Sequence, residues 1–350
     1  GKWHLDGDGR PQWSPQRKFG FENNRYMFNR GHWKQFKDTR EGPKVKGRNS
    51  RGGPTRGLHG VDEQSYATDF LADRTIDFIE AHRDKPFCYM ISFPDPHDPD
   101  TVRPPYDTMF ADQEYKIPRT FDVPGRKPNW GLPNGRFINM AKYYGMVKCI
   151  DDNVGKIIDA LRKNGLIEKT IVVFTSDHGD LRGEHHRQNK GVPYEASARI
   201  PFVVYAPGRI EPGTVVREAL SCVDFKPTIL RLMGLAGSED DQGRDASALL
   251  TQGNAPADWN DVAFIRGTGG EPGWVAAVSD RYKLVYSTND DPWLFDLQTD
   301  PDEVTNYFTD PAYRKVVRDL SAKLAEYGKK YNDPRVANAR IRADLDKAIR

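Results

Sequence analysis

The chain contains, at residues 171–180, the stretch Ile-Val-Val-Phe-Thr-Ser-Asp-His-Gly-Asp. Its first residues are apolar and largely β-branched, which predicts a buried β-strand. An acid and an imidazole, Asp177 and His178, follow directly. In open α/β sheets, binding sites form beyond the carboxyl ends of the strands, where the connecting loops converge on a crevice. We therefore predict that Asp177 and His178 are metal ligands; a capping aspartate beside a surface histidine is the alternative.

A cation-rich loop joins this strand to a second apolar strand at residues 200–205. From residue 181 the loop reads Leu-Arg-Gly-Glu-His-His-Arg-Gln-Asn-Lys, and a short helix is predicted over residues 193–199. Strand, loop, helix and strand together suggest a βαβ unit. Besides its histidines, the loop carries three cationic side chains, which are Arg182, Arg187 and Lys190. So many donors beside a candidate metal site suit an anionic group on the substrate.

The pattern of residues 176–201 resembles that of the type I sulfatases of the alkaline phosphatase superfamily. It contains Ser-Asp-His-Gly, Gly-Glu-His, Lys, and Tyr-Glu before Arg-Ile-Pro. Residues 1–5, Gly-Lys-Trp-His-Leu, and residues 93–99, Phe-Pro-Asp-Pro-His-Asp-Pro, agree with it in the family's order. Residues 294–303 resemble a run that these enzymes carry near their end. The resemblance implies an α/β fold with an alkaline-phosphatase-like central mixed sheet flanked by helices, and a smaller C-terminal α+β subdomain.

The resemblance also implies a role for each matched residue. Lys2 and His4 would bind the sulfate and the catalytic aldehyde hydrate, and His97 and Lys190 would contact sulfate oxygens. The implied ligands of a divalent cation, Ca²⁺ ahead of Mg²⁺, are Asp177 and His178. The candidates for substrate binding are four residues of the loop: Arg182, His185, His186 and Arg187. For His185, His186 and Arg187, hydrogen bonding within the loop is the alternative.

These residue types suit the chemistry of sulfate ester cleavage. Negative charge develops on the bridging oxygen and on the transferred group, so fixed cations and imidazolium donors stabilise the transition state. A hard dication would polarise the sulfate. Either His97 or Lys190 could protonate the leaving alcohol. The predicted function is metal-assisted removal of sulfate from a sulfated sugar or glycan. The alternatives are a phosphonate or phosphodiester hydrolase of the same superfamily and a non-catalytic protein that binds sulfated glycans.

The chain departs from the family pattern at the nucleophile. Family members carry two adjacent aspartates near their amino terminus as further metal ligands, followed by Cys-x-Pro-Ser-Arg, whose cysteine becomes the formylglycine nucleophile. None of the three cysteines has that context. The pair Asp151-Asp152 lies in a stretch that predicts an amphipathic helix, so we interpret it as structural. We therefore expect a carboxyl-terminal part of a longer sulfatase, with formylglycine in a preceding segment, and no sulfate ester hydrolysis by these residues alone.

Composition limits the classes of function. Charged residues make up 29% of the 350 residues, but the formal net charge is only +2, so no global basic field points to nucleic acid. No apolar stretch reaches the roughly eighteen residues that a membrane-spanning helix needs. The cysteines, three in number and in apolar contexts, predict free buried thiols. The expected partner is a sulfated carbohydrate or other sulfate ester, and the oligomeric state is left open. The resemblance implies export to the periplasm, cell surface or lysosome, although no signal peptide is visible.

Length favours a main domain with a smaller appendage. The composition loosens towards residue 254, so we predict a catalytic α/β domain over residues 1–254 and an α+β subdomain over residues 255–350. Residues 1–60 are rich in glycine, arginine and aromatic residues with little periodicity, and predict loops across the mouth of the site. Glu195 and Arg199, one helical turn apart, predict a structural ion pair.

Hydrophobic periodicity predicts the remaining elements. Helices are expected over residues 62–82 and 137–164, and a buried strand over residues 87–93 leads to His97. The subdomain is predicted to contain a helix over residues 311–331, preceded by four short antiparallel strands over residues 262–266, 274–279, 282–287 and 293–297.

Overall fold

The computed structural model describes residues 1–5, 17–130, 135, 138–253, 255–267, 270 and 272–350. These residues form two compact units. Unit 1 comprises Gly1–Lys116 and Asn139–Lys169, and unit 2 comprises Ile117–Ile138 and Thr170–Arg350. Residue 254, the predicted domain boundary, lies outside the described residues, and the division at that point stays a prediction.

Unit 1 contains two long helices and one very short sheet. Its elements are β1 (Phe36–Lys37), β2 (Lys44–Val45), α1 (Ala67–Ala81) and α2 (Ala141–Lys163), and β1 pairs with β2 antiparallel. Both predicted helices are confirmed, although each begins later than predicted; Phe137 lies outside the described residues. After α2, Gly165 has a φ of +67°, a left-handed value that suits glycine and ends a helix. Asp151 and Asp152 lie on α2 and both form ion pairs with Lys148 of the same helix, as their structural interpretation predicts.

A buried polar network holds α1 against α2. The guanidinium of Arg103 donates two hydrogen bonds to the carboxylate of Asp69 on α1, at 2.7 and 2.9 Å. The side-chain amide of Asn153 on α2 donates to the same carboxylate at 2.9 Å. The hydrogen bonds to Asp69 raise the pKa of Arg103. Because Asp69 is fully buried, loss of Arg103 would remove its nearest cation and leave the longer pair with Lys156 at 3.6 Å, so the protein should be destabilised.

The prediction of a strand over residues 87–93 is wrong, because these residues, all of which are described, form no strand. Residues 87–90 alternate between half-buried and exposed, and Met90 is 54% exposed. Apolar, β-branched composition favours a strand only where a neighbouring backbone completes the hydrogen bonds. The segment nevertheless leads to the proline-rich loop that carries His97, as predicted.

Unit 2 begins its regular structure with β3 (Val172–Thr175), α3 (Glu195–Ala198) and β4 (Phe202–Tyr205). The strand β3 is confirmed, but its predicted burial is wrong, since Phe174 is 44% exposed. The predicted βαβ unit is also wrong, because β3 and β4 pair antiparallel, with Val173 opposite Val204. A parallel return needs a crossover connection, usually a helix. The connection over residues 176–201 is long enough, but its helix α3 has only 4 residues, and the amide of Leu181 donates back to the carbonyl of Asn189 within it.

The C-terminal part of unit 2 is an antiparallel sheet followed by a helix, as predicted, and by a second helix at the end of the chain. Its four strands pair with one another in the order in which they follow along the chain. The helix predicted over residues 311–331 is confirmed over Arg314–Tyr331, after one turn of 3₁₀ helix at Pro311–Tyr313. The elements after β4 are α4 (Phe225–Leu232), α5 (Ser247–Gln252), β5 (Ala263–Arg266), β6 (Trp274–Val278), β7 (Tyr282–Ser287), β8 (Trp293–Asp296), α6 (Arg314–Tyr331) and α7 (Ala339–Ile349).

Both faces of this sheet are covered. On one face, Val275 and Leu284 pack in a core with Val317 and Leu324 of α6 and Ile341 of α7. Each buried aliphatic side chain of this kind contributes about 1.5–3 kcal/mol.

On the other face, the packing partners come from the loop that follows β3. Trp274, Val285 and Phe295 form a buried cluster with Leu181 and Val192. Successive residues of a strand point to opposite faces. The sheet therefore binds the helices with one set of side chains and supports the cation-rich loop with the other.

The three cysteines are free, and only Cys149 is buried. The predicted burial is thus wrong for Cys88 and Cys222, which are exposed. Burial raises the pKa of the Cys149 thiol. Among the helices of the described residues, none combines the length and hydrophobicity that crossing a bilayer requires.

Candidate active site

The segment at residues 1–4 is held in place by neighbouring backbone in unit 1. The amide of Trp3 donates to the carbonyl of Phe28 at 2.8 Å, and the amide of Phe28 donates to the carbonyl of Gly1 at 3.0 Å. The amide of Lys2 donates to the carbonyl of Ser92 at 3.1 Å. A Cβ atom on Gly1 would collide with that same carbonyl, so this approach requires glycine. These bonds fix the point from which the Lys2 side chain extends.

Lys2 and His97 lie in one cluster, together with a third residue that sequence analysis missed, His32. The Nζ atom of Lys2 is 3.3 Å from Nδ1 of His32. The rings of His32 and His97 stack with a centroid separation of 3.4 Å and an interplanar angle of 12°. The only sequence signal for His32 is its place in the loop-rich first 60 residues. One ammonium and two imidazoles in contact can bind an anion, because all three groups donate hydrogen bonds.

His4 is the third predicted site residue of unit 1, and it lies two residues after Lys2 in the sequence. It is exposed and has a φ of 61°, in the left-handed region. Its amide donates to the carbonyl of Asn29 at 2.8 Å. The backbone position of His4 is therefore defined, and its predicted contact with sulfate stays a prediction.

A buried ion pair supports the loop of His97. Lys34 is fully buried, and its Nζ donates to Asp95 Oδ1 at 2.6 Å and to the carbonyl of His97 at 3.0 Å. The other oxygen of Asp95 accepts hydrogen bonds from Tyr66 at 2.6 Å and Thr68 at 2.8 Å. Burial, and then the charge of Asp95, raise the pKa of Tyr66. A carboxylate with this many donors is locked in place, which fixes the backbone at His97.

Asp177 and His178 lie just beyond the carboxyl end of β3. The Nδ1 atom of His178 is 2.7 Å from the carbonyl oxygen of Gly179. A carbonyl only accepts, so Nδ1 carries the proton and Nε2 keeps its lone pair, as a metal-ligating histidine requires. The side chain of Asp177 is 79% exposed, and its Oδ2 is 3.5 Å from Nε2 of His178.

These two donors fit part of a divalent cation site. Within the described ranges, the structure contains no group of three or more His, Cys, Asp or Glu side chains that could hold a metal ion. Calcium and magnesium prefer six or more ligands, mostly oxygens. Asp177 and His178 can therefore supply part of a coordination shell.

The loop after β3 has an unusual backbone conformation. Non-glycine residues rarely adopt a positive φ, and each costs about 1–2 kcal/mol. Hydrogen bonds across the loop offset this cost: Leu181 donates to the carbonyl of Asn189, and Gly183 to that of Arg187, both at 2.8 Å. The loop residues with positive φ, besides glycines, are Arg182 (47°), His185 (52°), His186 (57°) and Asn189 (62°).

Two of the predicted substrate-binding residues lie inside the loop. His185 is buried, and its ring stacks on Tyr194 at 3.5 Å. Burial, reinforced by the charge of Arg187, lowers the pKa of His185 to about 3. Arg187 is also buried, donates to the carbonyl of Pro128 at 3.3 Å, and has a pKa lowered by burial. Both side chains thus contact residues outside the loop, and binding of substrate by them stays a prediction.

Of the other candidates, His186 and Lys190 are more accessible, whereas the side chain of Arg182 is only 10% exposed. The side chain of His186 is 36% exposed, with Nδ1 at 3.3 Å from Asp122 Oδ1. Nη1 of Arg182 lies 3.7 Å from Asp180 Oδ2. Lys190 is exposed at the end of the loop. Binding of an anionic substrate by these three stays a prediction.

The backbone that follows Lys190 is anchored by three buried side chains of the C-terminal subdomain. We call residues 191–195 the anchored segment. Trp274 Nε1 donates to the carbonyl of Gly191 at 2.8 Å, and Lys283 Nζ donates to that of Pro193 at 2.8 Å. The amide of Glu195 donates to Glu303 Oε2 at 2.6 Å. Three alternate residues are thus fixed, so the sheet sets the position of the adjacent Lys190.

Glu195, in the anchored segment, has a closer ion-pair partner than the predicted Arg199. Its Oε1 is 2.6 Å from Nζ of the fully buried Lys283, which also pairs with Glu303 at 2.8 Å. The predicted partner, Arg199, is 79% exposed and 3.9 Å away. The pair with Arg199 is confirmed, but an exposed pair of this kind contributes less than 1 kcal/mol, roughly. Lys283 is the stronger partner, and sequence reasoning missed it.

The predicted site residues divide between the two units. Lys2, His4 and His97 belong to unit 1, where Lys2 and His97 meet through His32. The remaining residues belong to unit 2, where one loop carries them in sequence: Asp177, His178, Arg182, His185, His186, Arg187 and Lys190.

Comparison with a solved structure first defines the class of fold. The chain is similar to a protein solved in complex with its substrate D-glucosamine-2-N,6-O-disulfate, with a TM-score of 0.67 and 24% identity. The match covers 79% of this chain and 71% of that one. It confirms the predicted alkaline-phosphatase-like α/β fold with a C-terminal antiparallel sheet.

The family follows from the sequence match. Residues 1–235 match the family described as Sulfatase, and residues 183–330 match the one described as N-sulphoglucosamine sulphohydrolase, C-terminal. The chain belongs to the sulfatase family.

Two curated relatives illustrate the range of the family. An arylsulfatase of Clostridium perfringens is 31% identical over 277 residues, which cover 73% of this chain and 56% of the relative. An N-acetylglucosamine-6-O-sulfatase of Bacteroides thetaiotaomicron is 26% identical over 352 aligned residues, which cover 78% of this chain and 63% of the relative. The chain thus spans less than two thirds of the length of both relatives.

Proposed function

We propose that the complete protein hydrolyses sulfate esters of a sulfated sugar or glycan. The observation that carries this proposal is the contact of Lys2 with His32 and the stack of His32 on His97, in a chain of the sulfatase family. A sugar substrate is supported by two relatives, one named as an N-acetylglucosamine-6-O-sulfatase and one solved with a sulfated glucosamine.

The cation of Lys2 has the simplest role in this reaction. A sulfate ester carries one negative charge, and more charge collects on the bridging oxygen as the S–O bond breaks. A fixed ammonium stabilises that charge without reorganisation, which is the usual source of large rate effects.

His97 is the better candidate for the general acid. Its Nδ1 is 2.9 Å from Asp98 Oδ1 and 3.1 Å from the carbonyl of Asp98, so Nδ1 carries a proton. A carboxylate at that nitrogen stabilises the imidazolium, as in a catalytic triad. The proton on Nε2 would then pass to the bridging oxygen as the alcohol leaves. We assign Lys190 to sulfate binding, the role that the family resemblance implies for it.

Two groups implied by the family complete the proposal. A divalent metal, Ca²⁺ or Mg²⁺, would polarise the sulfate when bound, and Asp177 and His178 are the residues of this chain that would hold it. Formylglycine would supply the nucleophile. The carboxylate oxygen of Asp177 and the lone pair of His178 Nε2 are suited to this ligand role. Export of the protein remains part of the proposal, and cell fractionation tests it.

The test is release of sulfate by the complete protein. We expect hydrolysis of glucosamine 6-sulfate and related oligosaccharides at higher kcat/KM than of aryl sulfates, phosphonate monoesters or phosphodiesters. Lys2→Met should lower kcat by about 10²–10³-fold, the loss typical of one oxyanion contact. Lys347→Met, at an exposed position of α7, is the matched control. Faster phosphonate or phosphodiester cleavage, or tight glycan binding without turnover, would overturn the proposal in favour of one of the two alternatives.

A further inference from the structure

His32 lies between two residues to which the proposed function gives sulfate contacts. Its Nδ1 is 3.3 Å from Nζ of Lys2. An ammonium has three hydrogens and no lone pair, so it can only donate. Nδ1 of His32 must therefore accept, which places the ring proton on Nε2. The contact with Lys2 thus selects one tautomer of His32 and leaves it with a single N–H donor on the far side of the ring.

The stack brings this donor close to His97. The two rings are nearly parallel, with their centroids 3.4 Å apart. An oxyanion as large as sulfate that contacts an edge of one ring can also reach the other ring. Asp98 favours a positive charge on His97, whereas the adjacent ammonium of Lys2 disfavours a second positive charge on His32. The cluster therefore combines a fixed cation, an imidazole that can carry a proton, and a neutral imidazole that donates.

We propose that His32 is an anion-binding residue of this site, with its Nε2–H donating a hydrogen bond to an oxygen of the sulfate group. This inference rests on the proposed function, because the anion is the sulfate that Lys2 and His97 contact. The ligand class is a tetrahedral oxyanion. The alternative is that His32 supports His97 only through ring stacking.

Two substitutions separate binding from stacking. His32→Phe keeps a flat ring against His97 but removes the donor, whereas His32→Gln keeps an N–H donor and removes the ring. If His32 binds sulfate, the phenylalanine variant of the complete protein should lose about ten- to a hundred-fold in kcat/KM for the sulfated sugar, as expected for a hydrogen bond to a charged group. The glutamine variant should retain more activity than the phenylalanine variant. His59→Phe, at an exposed histidine of the same unit, is the matched control.

A direct binding measurement accompanies the kinetics. In the wild-type complete protein with ¹⁵N-labelled histidine, NMR should show His32 protonated at Nε2, and titration with inorganic sulfate should shift that resonance. Sulfate that shifts His32 in a protein without turnover supports the inference while the proposed function fails. An active wild-type enzyme whose phenylalanine variant is equally active, or whose His32 resonances ignore sulfate, overturns the inference. Thermal unfolding of each variant identifies a folding defect, and the wild-type titration decides the question in that case.

Discussion

Removal of the buried cation Lys283 should loosen the anchored segment. The side chain of Lys283 is fully buried, pairs with Glu303 at 2.8 Å and with Glu195 at 2.6 Å, and donates to the carbonyl of Pro193 at 2.8 Å. Lys283→Met has similar volume but no charge and no donor. It leaves Glu303, only 3% exposed, without its cation.

The expected destabilisation follows from that uncompensated carboxyl group. Loss of one partner from a buried ion pair costs about 3–5 kcal/mol. In a domain of this size, each kcal/mol of destabilisation lowers the thermal midpoint by about 2–4 °C, so the midpoint of Lys283→Met should fall by roughly 6–20 °C. Burial already raises the pKa of Glu303, and loss of Lys283 should raise it further. The double variant Lys283→Met with Glu303→Gln removes the buried charge and should be less destabilised than the sum of the single variants, by about 0.5–3 kcal/mol.

Thermal and chemical unfolding of the four proteins, wild type, two single variants and the double variant, measure this cycle. Hydrogen exchange supplies the local readout: the amide of Glu195, which donates to Glu303 in the wild type, should exchange faster in both single variants. The matched control is Lys315→Met, because Lys315 pairs with Asp319 at 2.6 Å but is 80% exposed. An exposed pair within a helix contributes about 0.3–0.5 kcal/mol.

Two results would refute this reasoning. If Lys283→Met costs no more than the Lys315→Met control, the buried pair does not anchor the segment. If the effects of Lys283→Met and Glu303→Gln are additive and exchange at Glu195 is unchanged, the two residues act independently.

Three further predictions concern other parts of unit 2. His185→Phe, which keeps the stack on Tyr194, should remove part of the pH dependence of the free energy of unfolding. In the wild type, the pKa of His185 in the folded protein is about 3, below the ordinary 6.5. The stability that the neutral ring contributes is therefore fully present above pH 6.5 and is lost as the pH falls towards 3. Equal loss of stability between pH 7 and pH 5 in both proteins would contradict this. Hydrogen bonds from Arg281 lower the pKa of Asp296 from 3.8 to about 2. The ionised carboxylate therefore stabilises the fold by about 2 kcal/mol above pH 3.8, and this stability is lost towards pH 2. Asp296→Asn should remove it, and thermal midpoints at pH 6 and pH 2.5 measure the difference. Gly179→Ala should destabilise by about 1–3 kcal/mol, because its Cβ would collide with the carbonyl of Ala196. The control Gly155→Ala, in α2 with open space around it, should be neutral or stabilising by about 0.5–1 kcal/mol in chemical unfolding.

Local patterns were sufficient to predict most of the helices and the C-terminal strands. The alternation and turn signals of residues 262–297 depend on near neighbours, and the structure forms all four strands there. Residues 87–93 have an equally apolar composition but no assigned strand. The difference is a backbone partner, which composition does not supply.

The site residues also fall into two groups, those that local sequence could identify and those that only folding brings together. Lys2, His97, Asp177 and His178 could be named from sequence, because each lies in a short motif of unusual chemistry. His32 could not, since it lies 30 residues from Lys2 and meets His97 only after folding. Lys283 could not either, because the carbonyl it holds is 90 residues away.

The sequence by itself determined the family, the α/β class, the strand that precedes Asp177, and the residue types available for anion and metal binding, since these depend on local composition and spacing. Only the tertiary structure decided that β3 and β4 run antiparallel, that His185 is buried and neutral while Lys190 is exposed, and that side chains of the C-terminal sheet hold the segment beside Lys190. These features depend on contacts between residues far apart in the chain, where burial and hydrogen bonding set the charge and position of each group.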